Sequence, residues 1–119
     1  MKIAITAKGT DIDSQVDPRF GRAAYIQVID LDNEKIDVID NAENVNAFKG
    51  AGIQAAVSVS DSGAEVLLTG YCGPNAFKTL DAAGVKVAND VSGTVSEAME
   101  AFKGGKVAFS EAANVDGHW

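Results

Sequence analysis

The sequence predicts one α/β domain with a mixed sheet of about five strands and helices on the sheet faces. Short apolar runs alternate with helix-like segments through the second half of the chain, which is the pattern of β-α units with right-handed crossovers. An Ile- and Val-rich pair of segments in the first half predicts a β-hairpin. The length of 119 residues is typical of a single hydrophobic core.

Five segments have the composition of strands. Residues 2–7 alternate β-branched and small side chains, and residues 23–31 and 35–40 form the predicted hairpin around a polar D-N-E turn. Residues 65–69 are a short apolar run, as in a strand buried on both faces, and residues 85–88, V-K-V-A, form a further strand. We expect the first, fourth and fifth of these strands to form the parallel centre of the sheet.

Helical spacing of apolar and small residues follows the polar segment at 41–50. This first helix should end near Ser62-Gly63. The residues that share the spacing are Ile53, Ala56, Val57 and Ser60.

Two further helices have clear end signals. Pro74 suits a first helical position, Phe77 and Leu80 should face the core, and Gly84 suits a left-handed stop. For the last helix, Thr94 and Glu97 have capping-box spacing and Gly104 marks the end. Its apolar face comprises Val95, Ala98, Met99 and Phe102.

Composition excludes several classes of protein. A formal charge of -7 opposes binding to nucleic acid or to anionic membranes. The apolar start of the chain is too short for a secretory signal and no stretch is long enough to span a bilayer, so we expect a cytoplasmic protein. The single cysteine, Cys72, allows neither an internal disulfide nor a four-thiolate metal site. We expect residues 1–119 to form one domain, with 110–119 as a loosely held tail.

The segment D-P-R-F-G-R, residues 17–22, contains both arginines of the chain, Arg19 and Arg22. We call it the arginine loop. Two planar guanidinium groups three residues apart can flank an anion. Alternatively, an arginine pairs with Asp17 to hold the loop while Phe20 enters the core, and both interpretations can hold together.

The segment G-Y-C-G-P-N, residues 70–75, follows a predicted central strand and precedes a predicted helix. We call it the cysteine turn. Free N-H groups and the positive end of a helix dipole favour an anion at such a position. The alternative is an ordinary tight turn in which Asn75 caps the helix.

Cys72 lies beside a predicted helix N-terminus, where a thiol pKa tends to be lowered and a soft metal such as Cu(I) can bind. A lone cysteine is more often a small buried apolar residue. His118, the only histidine, stands next to the last residue and is expected to be solvated.

Catalytic machinery is not evident in the sequence. Asp11, Asp13 and Asp17 lack the spacing of a calcium loop, and no nucleophile-base pair is apparent. We therefore expect a protein that is not an enzyme.

Several motifs occur together in one order over nearly the whole chain. Besides the arginine loop and the cysteine turn, they are G-A-G-I-Q-A-A at 50–56, A-G-V-K-V at 83–87 and T-V-S-E-A at 94–98. In this set the chain resembles the dinitrogenase iron-molybdenum cofactor accessory family, the small domains related to NifX and to the C-terminal part of NifB.

The resemblance implies a ribonuclease H-like three-layer fold and the binding or transfer of a preformed metal-sulfur cluster. Stand-alone members of this size imply a molybdenum-copper sulfide cluster, with an iron-molybdenum cluster as the alternative. The histidine ligands of some nitrogenase-associated members have no counterpart here. A protein partner that delivers or receives the cluster is also implied.

The chemistry of a thiomolybdate-type anion matches the two loops, because its metals are already satisfied by sulfide. Arginines would offset its charge, the aromatic rings of Phe20, Tyr71 and Phe77 would shield it from water, and backbone N-H groups would bind it. The candidate residues are Arg19, Phe20, Gly21, Arg22, Tyr71, Gly73, Pro74 and Asn75, with Cys72 as a possible copper ligand. The other functions left open are a metal-free regulatory or scaffold domain and an enzyme acting on a small phosphorylated metabolite.

Overall fold

The computed structural model describes residues 1–41 and 51–110. These residues form five strands and three helices in the predicted order, β, β-hairpin, α, β, α, β, α. The strands are β1 (Lys2–Ala7), β2 (Tyr25–Asp30), β3 (Ile36–Asp40), β4 (Val66–Leu68) and β5 (Lys86–Ala88). The helices are α1 (Ala51–Asp61), α2 (Pro74–Ala82) and α3 (Val95–Lys103).

The strands form one mixed sheet in the order β3-β2-β1-β4-β5. β2 is antiparallel to both β1 and β3, and β4 is parallel to both β1 and β5. This order confirms the ribonuclease H-like expectation. The three predicted parallel strands do adjoin one another, but β5 lies at an edge of the sheet and not at its centre.

Helices cover both faces of the sheet, which gives three layers. Alternate residues of β1 point to opposite faces, so Ala4 packs beneath α1 and α2 while Ile3 and Ile5 pack beneath α3. In the same way Leu67 of β4 joins the first cluster and Leu68 the second. β1 and β4 are buried on both faces, whereas β3 is mostly exposed.

The buried face of α1 differs from the predicted spacing. Ile53 and Val57 remain 39% and 42% exposed. The buried face of the helix consists instead of three alanines and one valine: Ala51, Ala55, Ala56 and Val59. Small residues form the buried face because α1 packs close to α2. A Cβ added to Gly52 would be 3.2 Å from the Cβ of Ala76.

The end signals of α2 and α3 are confirmed. Pro74 opens α2, Leu80 is fully buried, and Gly84 adopts a positive φ of 79°. In α3 the Thr94 side chain accepts from the Glu97 backbone N-H while the Glu97 carboxylate accepts from the Thr94 N-H, which completes the capping box.

The capping box gives a first prediction. Thr94→Ala should lower the free energy of unfolding by about 1 kcal/mol, since an orphan N-H group of α3 loses its acceptor. Thr94→Ser should retain most of the stability, because serine supplies the same oxygen. Urea denaturation of the two variants checks this, and equal stabilities would contradict the role of the hydroxyl.

Two predictions fall on residues outside the described ranges: the course of the chain through 42–50, and the tail at 111–119 with His118. Within the described residues, no helix has the length and apolar composition required to cross a membrane.

Candidate functional site

The arginine loop and the cysteine turn contact one another directly. Tyr71 donates its backbone N-H to Pro18 O at 2.6 Å, and Phe20 donates its N-H to Tyr71 O at 3.0 Å. These bonds form a short parallel bridge between Arg19 and Tyr71. Segments about 50 residues apart in sequence are thereby held side by side.

Glycine permits the close approach of the two loops. A Cβ on Gly70 would lie 2.7 Å from both the Cα and the O of Pro18. On the other side of the arginine loop, Gly21 has a φ of 76°, and a Cβ there would lie 2.8 Å from the Cα of Gly52. The arginine loop therefore packs between the cysteine turn and the first turn of α1, where only hydrogen fits.

Two helix N-termini converge at the loops. Gly52 in the first turn of α1 adjoins Ala76 in the first turn of α2, and neither helix has an acidic residue in its first turn. Two positive helix ends thus lie beside the arginine loop, a field that favours an anion.

The cysteine turn ends in the N-cap of α2. Gly73 is the N-cap and has no side chain to cap with, and Pro74 has no N-H. Asn75 is exposed and forms no side-chain cap for this helix. The backbone N-H groups of Asn75 and Ala76 lack intrahelical acceptors, as in any first turn, so this end of α2 presents donors.

The two arginines occupy different environments. Arg19 has a side chain that is 51% exposed and places its Nε 3.5 Å from Oδ1 of the buried Asp17. The same Oδ1 accepts the backbone N-H of Arg19 at 3.1 Å. Arg22 is partly buried. The alternative in which Asp17 holds the loop is therefore realised, while half of the Arg19 side chain remains accessible.

The aromatic candidates also differ. Phe20 is 2% exposed and belongs to the core cluster beneath α1 and α2, as the alternative interpretation anticipates. Tyr71 is 38% exposed, and Phe77 is partly buried against the same cluster. Of the three, Tyr71 has the most surface to offer a ligand.

Of the two interpretations of Cys72, the buried apolar residue is confirmed and the lowered pKa is wrong. The side chain is fully buried, and desolvation raises the pKa of the thiol to about 12. Burial among apolar groups disfavours the thiolate more than the neighbouring helix end favours it. At neutral pH the residue is a protonated thiol, whose Sγ lies 3.7 Å from Gly73 O.

This burial predicts a specific pH dependence. Because the pKa of Cys72 is higher in the folded protein than its ordinary value of 9.0, the unfolded state loses the thiol proton first. The contribution of Cys72 to stability is therefore intact below pH 9 and is lost as the pH rises toward 12. Between these pH values, the free energy of unfolding of the wild type should fall by about 1.4 kcal/mol per pH unit more than that of Cys72→Ala. Parallel stability curves for the two proteins would contradict this.

Three buried polar residues beneath the loops were not singled out from the sequence. Asn41 donates its side-chain N-H to Gly21 O at 3.2 Å and to Ala23 O at 2.8 Å. The hydroxyl of Thr6 donates to a backbone O of the arginine loop and contacts that of Thr69. A buried asparagine at a strand end is a signal that could have been read, whereas the threonine pair depends on long-range strand pairing.

Metal ligands are sparse in the part of the chain that the structure describes. There, no three His, Cys, Asp or Glu side chains are grouped so as to hold a metal ion. The three aspartates were expected to be solvated; Asp11 and Asp13 are exposed, and Asp11 accepts from the Asp13 N-H and the Ser14 hydroxyl, but Asp17 is buried because its carboxylate lies inside the arginine loop. The loops thus offer hydrogen-bond donors and positive charge, and not a coordination shell.

Comparison with known proteins places this geometry in context. The sequence model described as "Dinitrogenase iron-molybdenum cofactor" matches residues 1–105. The structure is similar to that of the apo form of the orange protein from Desulfovibrio gigas, with 45% identity, a TM-score of 0.93 and coverage of 96% of each chain.

Two further solved structures are similar. A NifB-like protein from Thermotoga, of the DUF35 family, is 37% identical, with a TM-score of 0.80 and coverage of 91% of each chain. A protein from Methanocaldococcus jannaschii described as a dinitrogenase candidate is 18% identical, with a TM-score of 0.68 over 94% of this chain and 96% of its own, and shares the fold. No curated protein matches the chain.

Proposed function

The chain belongs to the dinitrogenase iron-molybdenum cofactor family, and from this premise we propose that it is a carrier of a preformed, anionic molybdenum-containing metal-sulfur cluster. Family membership and the likeness to the orange protein support a role in binding a metal cluster. The proposed cargo is a molybdenum-copper sulfide, with an iron-molybdenum cluster as the alternative. The cluster is bound and released, and the protein catalyses no reaction on it.

One observation carries the proposed location of the site: the arginine loop is hydrogen-bonded to the cysteine turn at the N-terminus of α2. This contact pairs the backbone of Arg19 with that of Tyr71, and the side chain of Arg19 is half exposed while Tyr71 is 38% exposed. In a chain with a net charge of -7, it is a place where positive charge and N-H donors coincide.

The proposed mode of binding is through the sulfides of the cluster. Each metal of a thiomolybdate-type anion already has its sulfide ligands, so the protein needs to supply hydrogen bonds, positive charge and shielding from water. Arg19, Arg22 and the N-H groups at the start of α2 would bind the sulfides, with Tyr71 against one side of the cluster. The scarcity of metal ligands in the described residues fits this mode.

Cys72 is not part of the proposed contact surface. A fully buried thiol with a pKa of about 12 cannot act as a thiolate ligand without a rearrangement of the turn. Cys72→Ala should therefore retain the cluster as well as the wild type does, as measured by the metal content after desalting. Loss of copper alone in this variant would show that the thiol is a ligand after all.

Reconstitution tests the proposal. The apo protein is mixed with tetrathiomolybdate and copper(I), desalted, and examined for sulfide-to-metal charge-transfer bands and for bound molybdenum, copper and iron. We expect a coloured protein with stoichiometric molybdenum. A protein that stays colourless and metal-free, both after reconstitution and when isolated from its source, would contradict the carrier function.

The same preparation separates the other candidate functions. A metal-free protein that co-purifies with a specific protein would favour the regulatory or scaffold function. Saturable binding of a phosphorylated metabolite would favour the enzyme. A cluster carrier would also need a protein partner to deliver or receive its cargo, and that partner is expected to compete with retention of the cluster.

A further inference from the structure

A chain of buried hydrogen bonds connects the sheet to the arginine loop. The hydroxyl of Thr6, at the end of β1, donates to Asp17 O at 2.6 Å. The hydroxyl of Thr69, just beyond β4, lies 2.8 Å from that of Thr6. Both threonine side chains are fully buried, so water does not compete for either contact.

The direction of these hydrogen bonds follows from the number of protons on each hydroxyl. A hydroxyl has one proton, and that of Thr6 is given to Asp17 O, because a carbonyl oxygen can only accept. The Thr69 hydroxyl must then be the donor to Thr6. The resulting order, Thr69 to Thr6 to Asp17, lets each bond polarise the next.

Asp17 transmits this restraint to Arg19. Its backbone is fixed on both sides by Thr6, since the Asp17 N-H also donates to Thr6 O at 2.9 Å. Its buried carboxylate then holds the backbone N-H and the Nε of Arg19. The guanidinium that the proposed function assigns to the cluster is thus located by side chains that do not themselves reach the surface.

From this connectivity we infer that Thr6 and Thr69 are positioning residues for Arg19, and through it for the anionic cargo. The identity of the ligand rests on the proposed function, whereas the hydrogen bonds that locate Arg19 do not depend on it. The inference assigns to two buried residues at the ends of β1 and β4 a role in anion affinity that their burial alone would not indicate.

Thr6→Val tests the inference, because valine keeps the shape of threonine and removes the hydroxyl. We expect the apparent affinity for tetrathiomolybdate with copper(I), titrated by charge-transfer absorbance, to fall about tenfold, the low end for residues that orient a ligand-binding group. Thr69→Val removes one hydrogen bond and should cost about fivefold. Thr6→Ser should restore most of the affinity.

A double-variant cycle distinguishes positioning from general destabilisation. In an Arg19→Ala background, Thr6→Val should cause no further loss of affinity, because its effect passes through the missing side chain. The control is Ile3→Val, a core substitution at the other end of β1 and on the other face of the sheet. Additive losses from Thr6→Val and Arg19→Ala, or an equal loss in Ile3→Val, would overturn the inference.

A measurement without the cluster separates this inference from the proposed function. The backbone N-H of Arg19 should exchange with solvent at least about fivefold faster in Thr6→Val than in the wild type, since the Asp17 carboxylate that accepts it is less well fixed. Unchanged exchange at Arg19 would refute the positioning role even if the protein binds the cluster. Faster exchange in a protein that binds no cluster would support the positioning role and contradict only the proposed cargo.

Discussion

Replacement of both arginines, Arg19→Ala with Arg22→Ala, should lower the affinity for the cluster about 100-fold while the protein stays folded. A charge-assisted hydrogen bond contributes about 1.5 kcal/mol at the low end, and about 1.4 kcal/mol is a tenfold change in a binding constant. Two such contacts therefore correspond to about two orders of magnitude. The measurement is titration of the apo variant with tetrathiomolybdate and copper(I).

The fold should tolerate this change. Arg19 is half exposed and its ion pair with Asp17 spans 3.5 Å, so its loss should reduce the free energy of unfolding by less than about 1 kcal/mol. The matched control is Lys103→Ala with Lys106→Ala, which removes the same two charges from exposed positions at the end of α3.

The control separates local contacts from net charge. If the lysine variant loses as much affinity as the arginine variant, the cluster responds to the charge of the whole protein and the arginine loop is not its site. Arg19→Lys with Arg22→Lys adds a third case. This variant keeps the charge but not the planar, five-donor guanidinium. Its affinity for the cluster should lie between those of the wild type and the alanine variant.

Local signals in the sequence were sufficient for much of the fold. The capping box at Thr94 and Glu97, Pro74 at the start of α2 and the left-handed Gly84 are all as predicted, because each depends on neighbouring residues only. The arrangement of the sheet followed from the alternation of strands and helices and from the family resemblance.

The sequence was less informative where a distant segment determines the outcome. Spacing on α1 included Ile53 and Val57, yet the close approach of α2 at Ala76 favours the alanine face of α1. The position of Cys72 beside a helix end favoured a lowered pKa and its being a lone cysteine favoured burial; the residue is buried, and burial raises its pKa. Neither effect can be obtained from residues within a few positions along the chain.

The candidate site also combines features that neighbouring residues determine with features that distant segments determine. Glycines and arginines indicated which two loops were unusual, and that they meet was a hypothesis suggested by chemistry and by the resemblance. The bonds that join them, from Tyr71 to Pro18 and from Phe20 to Tyr71, require a register between distant segments. The supporting Thr6-Thr69 contact joins residues 63 positions apart, and no pattern in the sequence marks it.

Gly70→Ala should strongly destabilise the protein by forcing the two loops apart. The new Cβ would lie 2.7 Å from two backbone atoms of Pro18, which cannot rotate away as the end of a side chain can. Relief of the clash requires the two loops to separate, which breaks the hydrogen bond from Tyr71 N-H to Pro18 O. We expect a loss of about 3 kcal/mol in the free energy of unfolding, the upper range for overpacking, and release of the cluster from any protein that folds.

Gly84→Ala is the control that isolates the clash from the backbone effect of glycine. Gly84 has a φ of 79° with no atom within 4 Å of an added Cβ, so alanine there should cost only about 1–2 kcal/mol through the left-handed conformation. Gly84 lies at the far end of α2 from the loops, and that variant should keep the cluster. A Gly70→Ala protein with unchanged stability would mean that the loops can separate without loss, and a rigid site formed by their contact would then be untenable.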